Sequence, residues 1–175
     1  MNDLLIRKEY FIKAVDKINY GKVVLLVGKV ACGKTTFARQ MQHHSGVIFL
    51  SLDELQLDIF GRYPTREELD NSYSGCFEYQ KRLAHKLVTN GLTVYLDWGF
   101  WKRSSRIALR KFFEDEGISV EQYYFDIPLH VRIKRNQKRN NSEDAHSFKI
   151  EEKDIAFFDS FFEQPEEYEN DKVFK

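Results

Sequence analysis

The chain has 175 residues, 42% of them apolar, with 15 Phe and 9 Tyr, which is material for one domain with a single core and excludes a disordered chain. Lysine plus arginine equals aspartate plus glutamate at 27 each, a neutral balance that argues against a protein whose main task is to coat nucleic acid. The charge is uneven locally: five basic residues fall in 102–111 and five more in 132–139, while 163–171 carries five acids, a distribution that suits a small anionic ligand.

Residues 4–18 repeat apolar positions at helical spacing (Leu4, Leu5, Phe11, Ile12, Val15), which predicts a first helix packed on the domain. This amphipathic, acid-bearing N-terminus resembles neither a signal nor a transit peptide. Lys22–Val27 is a short apolar run ending in glycine, as expected of a strand buried on both faces. A helix is expected from Lys34 to about His43, and Val47–Leu50 reads as a second buried strand. Thr65 and Glu68 have capping-box spacing, and a longer helix over roughly 76–90 closes on Gly91. Leu92–Leu96 is a third strand ending at Asp97, followed by a helix over Ser104–Glu116 that Gly117 stops. Val120–Phe125 is a fourth strand, and Pro128 opens a helix running to about Asn140. Residues 141–147 are polar, Ile150–Phe162 reads as a last helix, and Pro165 begins an acidic tail.

Strands separated by helices imply an α/β fold, with a parallel sheet covered by helices on both faces. The expected layout is a single domain: an N-terminal helix over 1–20, a core over 22–140, a lid-like loop over 141–149, and a C-terminal helix and tail over 150–175. Cys32 and Cys76 form neither a CxxC nor a zinc spacing, and together with the absence of any apolar run near ~20 residues they suggest a cytoplasmic protein with no membrane segment.

Residues 28–35, Gly28-Lys29-Val30-Ala31-Cys32-Gly33-Lys34-Thr35, fit G-x-x-x-x-G-K-[ST] at every fixed position. Such a loop turns successive backbone N–H groups toward the phosphates of ATP or GTP, and the following helix, with Thr36 in its first turn, adds its positive end. Lys34 is placed to reach the β- and γ-phosphates and the Thr35 hydroxyl to hold Mg²⁺. The motif lies between a buried strand and a helix, the context it requires.

Two carboxylates are candidates for chemistry. Asp97 ends a strand where ligands bind in sheets of this kind, and it can orient Mg²⁺ or anchor a cap or loop. Asp53 follows the second strand, and it can accept the proton of an attacking hydroxyl or cap a short helix at 54–60. Arg132, Arg135 and Arg139 share one helical face; Arg135 and Arg139 read as lid residues over the nucleotide, and Arg132 as solvated. Arg103 and Arg106 follow the third strand and could hold an acidic substrate or the γ-phosphate, with Arg62 a weaker candidate on the substrate side. Trp98 stands at the mouth, ready either to stack on an acceptor ring or to pack a loop. Phe157, Phe158, Phe161 and Phe162 form a stripe read first as core and second as a dimer face.

The phosphate loop, the FLSLDE segment (49–54), YLDWGFWKRSSR (95–106) and DIPLHVRIKRNQKRN (126–140) together resemble a broad group of P-loop kinases. Many of these are labelled AAA-family ATP-binding proteins, and the group is similar to chloramphenicol phosphotransferase, gluconate and shikimate kinases and zeta toxin. The resemblance spans roughly 22–165. It implies a shikimate-kinase-like P-loop fold, a three-layer sandwich whose central strand is flanked by the third and fourth. It also implies an acceptor aspartate at Asp53 and lid arginines at Arg135 and Arg139. Cys32 departs from the small Ser or Gly usual at that position, and the lid offers no further arginine over 141–149.

The expected activity is ATP- and Mg²⁺-dependent transfer of a phosphoryl group to a hydroxyl of a small molecule, by a monomer or homodimer. The competing readings are an ATP-binding switch and a polynucleotide 5′-end kinase, the latter disfavoured by the neutral charge.

Overall fold

The computed structural model describes residues 20–141 and 148–175; the helix expected over 4–18 and the polar stretch 142–147 lie outside the described residues. Five parallel strands form one sheet in the order β2-β3-β1-β4-β5: β1 Lys22–Gly28, β2 Val47–Ser51, β3 Thr93–Asp97, β4 Ser119–Phe125 and β5 Lys172–Phe174. The central strand is flanked by β3 and β4, the arrangement the resemblance implies.

The sheet is covered on both sides because β1 has no polar face. Val23, Leu25 and Val27 join Val94, Leu96 and Val120 in one cluster, which α3 (Arg66–Thr89) and α4 (Arg103–Glu114) close with Ala84, Val88, Leu109 and Phe113. Val24 and Leu26 point the other way, to Tyr95, Tyr123 and Phe125, where α1 (Lys34–Met41) packs Ala38 and Phe37. All five residues Val23–Val27 are fully buried, and burying them contributes about 2 kcal/mol apiece before chain entropy is counted.

Three expectations change. Thr65 does cap a helix through a reciprocal box with Glu68, but that helix runs unbroken over Arg66–Thr89 instead of starting near 76. α2 (Leu52–Phe60) packs on its first turns, with Gln56 Nε2 donating to Leu69 O at 3.0 Å and Ser72 Oγ at 2.8 Å. Tertiary hydrogen bonds outweigh weak helix propensity there. The acidic tail is not merely a tail: its last residues add β5 to the sheet edge, where Phe174 stacks on Phe125 at 4.6 Å. The phenylalanine stripe of α6 (Glu152–Ser160) and the turn after it divides, since Phe157 and Phe161 are exposed while Phe162 stacks on Tyr124.

Candidate active site

The phosphate loop leaves β1 at Gly28 and enters α1 at Lys34. Gly28 has no room for a side chain, since a Cβ would lie 2.7 Å from Cys32 Sγ and 2.9 Å from Phe125 O. Ala31 has φ 58° and Gly33, the residue before α1, has φ 103°, so the loop is wound through left-handed conformations that side chains resist. Strain of this kind gathers at ligand clamps. No side chain caps α1, so its first amides remain available to an anion at the helix N-terminus. Lys34 folds back over the loop, donating to Gly28 O at 3.0 Å and Lys29 O at 3.3 Å. Burial pulls its ammonium pKa down, but the charges of Cys32, Asp97 and Asp53 outweigh that and leave it raised.

The ends of β2 and β3 are level, with Ser51 paired to Asp97 in register. This pairing brings two carboxylates to one edge of the sheet although β2 is one strand removed from β1. Asp97 Oδ2 accepts a 2.8 Å hydrogen bond from Thr35 Oγ1. It does not cap α4, whose N-cap is Lys102 and whose Arg103 N–H is taken by Glu163 at 2.8 Å. Asp53 does not cap α2: Ser51 holds that position and accepts from Glu54 N. Asp53 instead opens to the mouth from the first turn of α2, and its pKa rises from 3.8 to about 6. Partial desolvation is the largest cause although the residue reaches solvent, followed by the negative charge of Asp97, against the lowering effect of Lys34 and Arg139. Thr35 hydroxyl and Asp97 carboxylate, hydrogen-bonded to each other beside the loop, are the hard oxygen donors that Mg²⁺ takes, so this pair fits the metal.

The arginines separate by role. Arg135 Nη1 donates to Cys32 O at 2.8 Å, and Arg139 donates to Asn136 Oδ1 at 2.7 Å while its charge reaches Asp53. Arg132, read from the sequence as solvated, is 2% exposed. It grips Asp159 with two hydrogen bonds, of 3.0 and 2.5 Å, and donates to Val30 O at 3.3 Å. Its place one turn before Arg135 on the same face of α5 (Leu129–Asn140) was the only trace of this in the sequence. Its partner Asp159 carried none. Arg106, expected near substrate, is buried at 1% exposure. It donates to Phe100 O, Glu163 O and Glu169, so it holds the C-terminal segment against α4 and does not face a ligand. Arg62 is held by Glu68 in the loop before α3, and Arg103 pairs with Glu166 at 2.9 Å. Trp98 is 3% exposed and meets Phe77 edge-on at 5.2 Å.

A protein-family model described as an AAA domain matches residues 23–165, and the chain belongs to that family. Among solved structures, the chain is similar to the crystal structure of APE1195, at 23% identity and TM-score 0.62, over 90% of this chain and 87% of that one. It is also similar to a chain of the Pnkp1/Rnl/Hen1 RNA repair complex, at 22% identity and TM-score 0.60, over 82% of this chain and 44% of that one. A third is a gluconokinase from Sinorhizobium meliloti 1021, at 15% identity and TM-score 0.55, over 89% and 83%. Among curated proteins, none matches in sequence. Fold and site together define a P-loop protein of kinase-like architecture. Among the described residues, no helix is long and apolar enough to cross a membrane.

Proposed function

We propose that the protein is an ATP- and Mg²⁺-dependent phosphotransferase acting on a hydroxyl of a small molecule. The observation that carries this reading is the second carboxylate. Asp53 sits at the same sheet edge as Asp97 and shares its field with Lys34, and Ser51 relieves it of the capping role that would otherwise explain it. A nucleotide switch needs the phosphate loop, Thr35 and Asp97, but it has no use for a second carboxylate beside them.

In this reading Lys34 and the amides of 28–36 hold the triphosphate, and Thr35 and Asp97 hold the metal. When bound between them, magnesium would supply charge neutralisation on the nucleotide's phosphates. The acceptor hydroxyl gives its proton to Asp53 while its oxygen bonds to the γ-phosphorus. The bond from that phosphorus to the β-bridging oxygen breaks, and ADP leaves. Arg135 and Arg139 add positive charge on the nucleotide side, so catalysis is by positioning and charge stabilisation.

Incubation with γ-labelled ATP, Mg²⁺ and a small-metabolite extract is the test. A labelled small product made by the native protein and lost with Asp53→Asn supports the reading. ATP hydrolysis unaffected by any acceptor would favour the switch. The likeness to a chain of an RNA repair complex keeps a 5′-hydroxyl oligonucleotide as a second acceptor to include.

A further inference from the structure

We infer that Asn136 is a positioning residue for phosphoryl transfer: its side-chain oxygen holds the guanidinium of Arg139 in the orientation that serves the reacting groups. This deepens the phosphotransferase reading and rests on it.

Asparagine is a weak helix former, yet Asn136 stands inside α5 at 1% exposure, where its amide must find partners other than bulk water. Both ends are taken. Nδ2 donates to Ile150 O at 2.7 Å, and Oδ1 accepts from Arg139 Nη2 at 2.7 Å. These partners decide which way the amide faces. A carbonyl only accepts and a guanidinium only donates, so a flipped amide would lose both bonds. The spacing of three residues puts Arg139 on the same side of the helix, within reach of that oxygen.

The tie to Ile150 does not by itself require Asn136. Asn140, one turn on, donates to the same carbonyl at 2.7 Å and accepts from Ile150 N at 3.4 Å. One turn back, Arg132 is locked to Asp159 of α6. α5 is thus anchored on either side of Asn136, and what Asn136 adds to these anchors is the oxygen that faces Arg139. The side of α5 concerned is the one turned to the phosphates. Arg135, one turn before Arg139, donates to Cys32 O of the phosphate loop at 2.8 Å, and the charge of Arg139 acts on the Asp53 carboxyl. An arginine has many rotamers to lose, and fixing one of them in advance turns a nearby charge into an oriented one.

Arginine side-chain ¹⁵N spectra of the full chain test this, with the Arg139 signals assigned by their loss in Arg139→Gln. Rotation about the Nε–Cζ bond of Arg139 should be slow enough to resolve its Nη signals in the native protein. They should stay resolved in Asn136→Asp, which keeps an acceptor for the guanidinium, and merge in Asn136→Leu, which keeps only the size. Asn136→Ala replaces the leucine variant if that one does not fold. In transfer from γ-labelled ATP, Asn136→Leu should lower kcat by up to about 10²-fold, the scale of an ångström of misplacement, and lower it no further in an Arg139→Gln background. Signals already merged in the native protein, or still resolved in the folded leucine variant, overturn the inference. So does merging in the aspartate and leucine variants alike, which would give the effect to Ile150. So does a kcat that Asn136→Leu leaves untouched, or a loss that adds in full to that of Arg139→Gln. Native protein that binds ATP and labels no acceptor overturns the phosphotransferase reading alone, and the spectra still decide whether Asn136 holds Arg139.

Discussion

Thr35 and Asp97, 62 positions apart in the chain, are joined by a 2.8 Å hydrogen bond from the threonine hydroxyl to the carboxylate. The bond ties the start of α1 to the end of β3, and it brings together the two oxygen ligands a single Mg²⁺ would use. Asp97→Asn keeps the shape and removes the charge. It should weaken nucleotide binding in Mg²⁺ by at least about tenfold, an effect of ~1.4 kcal/mol, and leave binding in EDTA nearly unchanged. Calorimetric titrations with and without metal make the comparison, and equal losses in both would return Asp97 to a purely structural role.

Asp53 should show itself in pH as well as in rate. Its folded pKa is raised from 3.8 to about 6, so the folded protein keeps a proton where the unfolded chain has lost it. Its contribution to stability therefore falls as pH rises from about 4 to about 6. Denaturant melts across that range should be flatter for Asp53→Asn than for the native protein. As a general base it must be ionised, so kcat/KM for transfer should climb through about pH 6 and level off above it. The Asn variant should lose ~10²–10⁴ in rate with ATP affinity kept. Full transfer activity in a folded Asp53→Asn protein would remove the assignment.

Lys34 supplies a different signature. In the absence of ligand its ammonium is spent on the carbonyls of Gly28 and Lys29, weak partners that a triphosphate displaces. Lys34→Ala should therefore leave the melting temperature within a few degrees of native while ATP binding or turnover is abolished. Fluorescence titration with an ATP analogue reads this directly. Unchanged affinity in the folded variant would mean that the phosphates sit elsewhere.

The pair Arg132–Asp159 supports the loop from behind. Asp159→Ala strands the Arg132 guanidinium, which is 2% exposed, and loss of one partner of a buried pair costs about 3–5 kcal/mol. Removing both, as Arg132→Met with Asp159→Leu, should cost clearly less than the two single changes added together. Because Arg132 also donates to Val30 O, the same variants should raise the KM for ATP. Additive stability losses with native ATP kinetics would show that the pair does not couple to the loop.

Much of this was legible along the chain because it rests on local chemistry. A wholly apolar run such as Val23–Val27 has to be buried on both faces. The pattern Gly28…Gly33-Lys34-Thr35 has to wrap backbone amides around an anion, and Thr65 with Glu68 has to start a helix. Each outcome is decided within a few residues by backbone freedom, hydrogen-bond reach or hydrophobicity. What spans the chain was decided only by the fold. The sequence offered Asp53 as base, as cap or as both, and it took Ser51 in place to free it from capping. It offered Arg106 as a ligand residue and Arg132 as a solvated one, and packing buried both. Arg106 found the C-terminal Glu169 and Arg132 found Asp159, acids lying 63 and 27 positions away. A buried guanidinium must meet a carboxylate, but which carboxylate is a property of the assembled sheet and helices, and no local pattern in the chain records it.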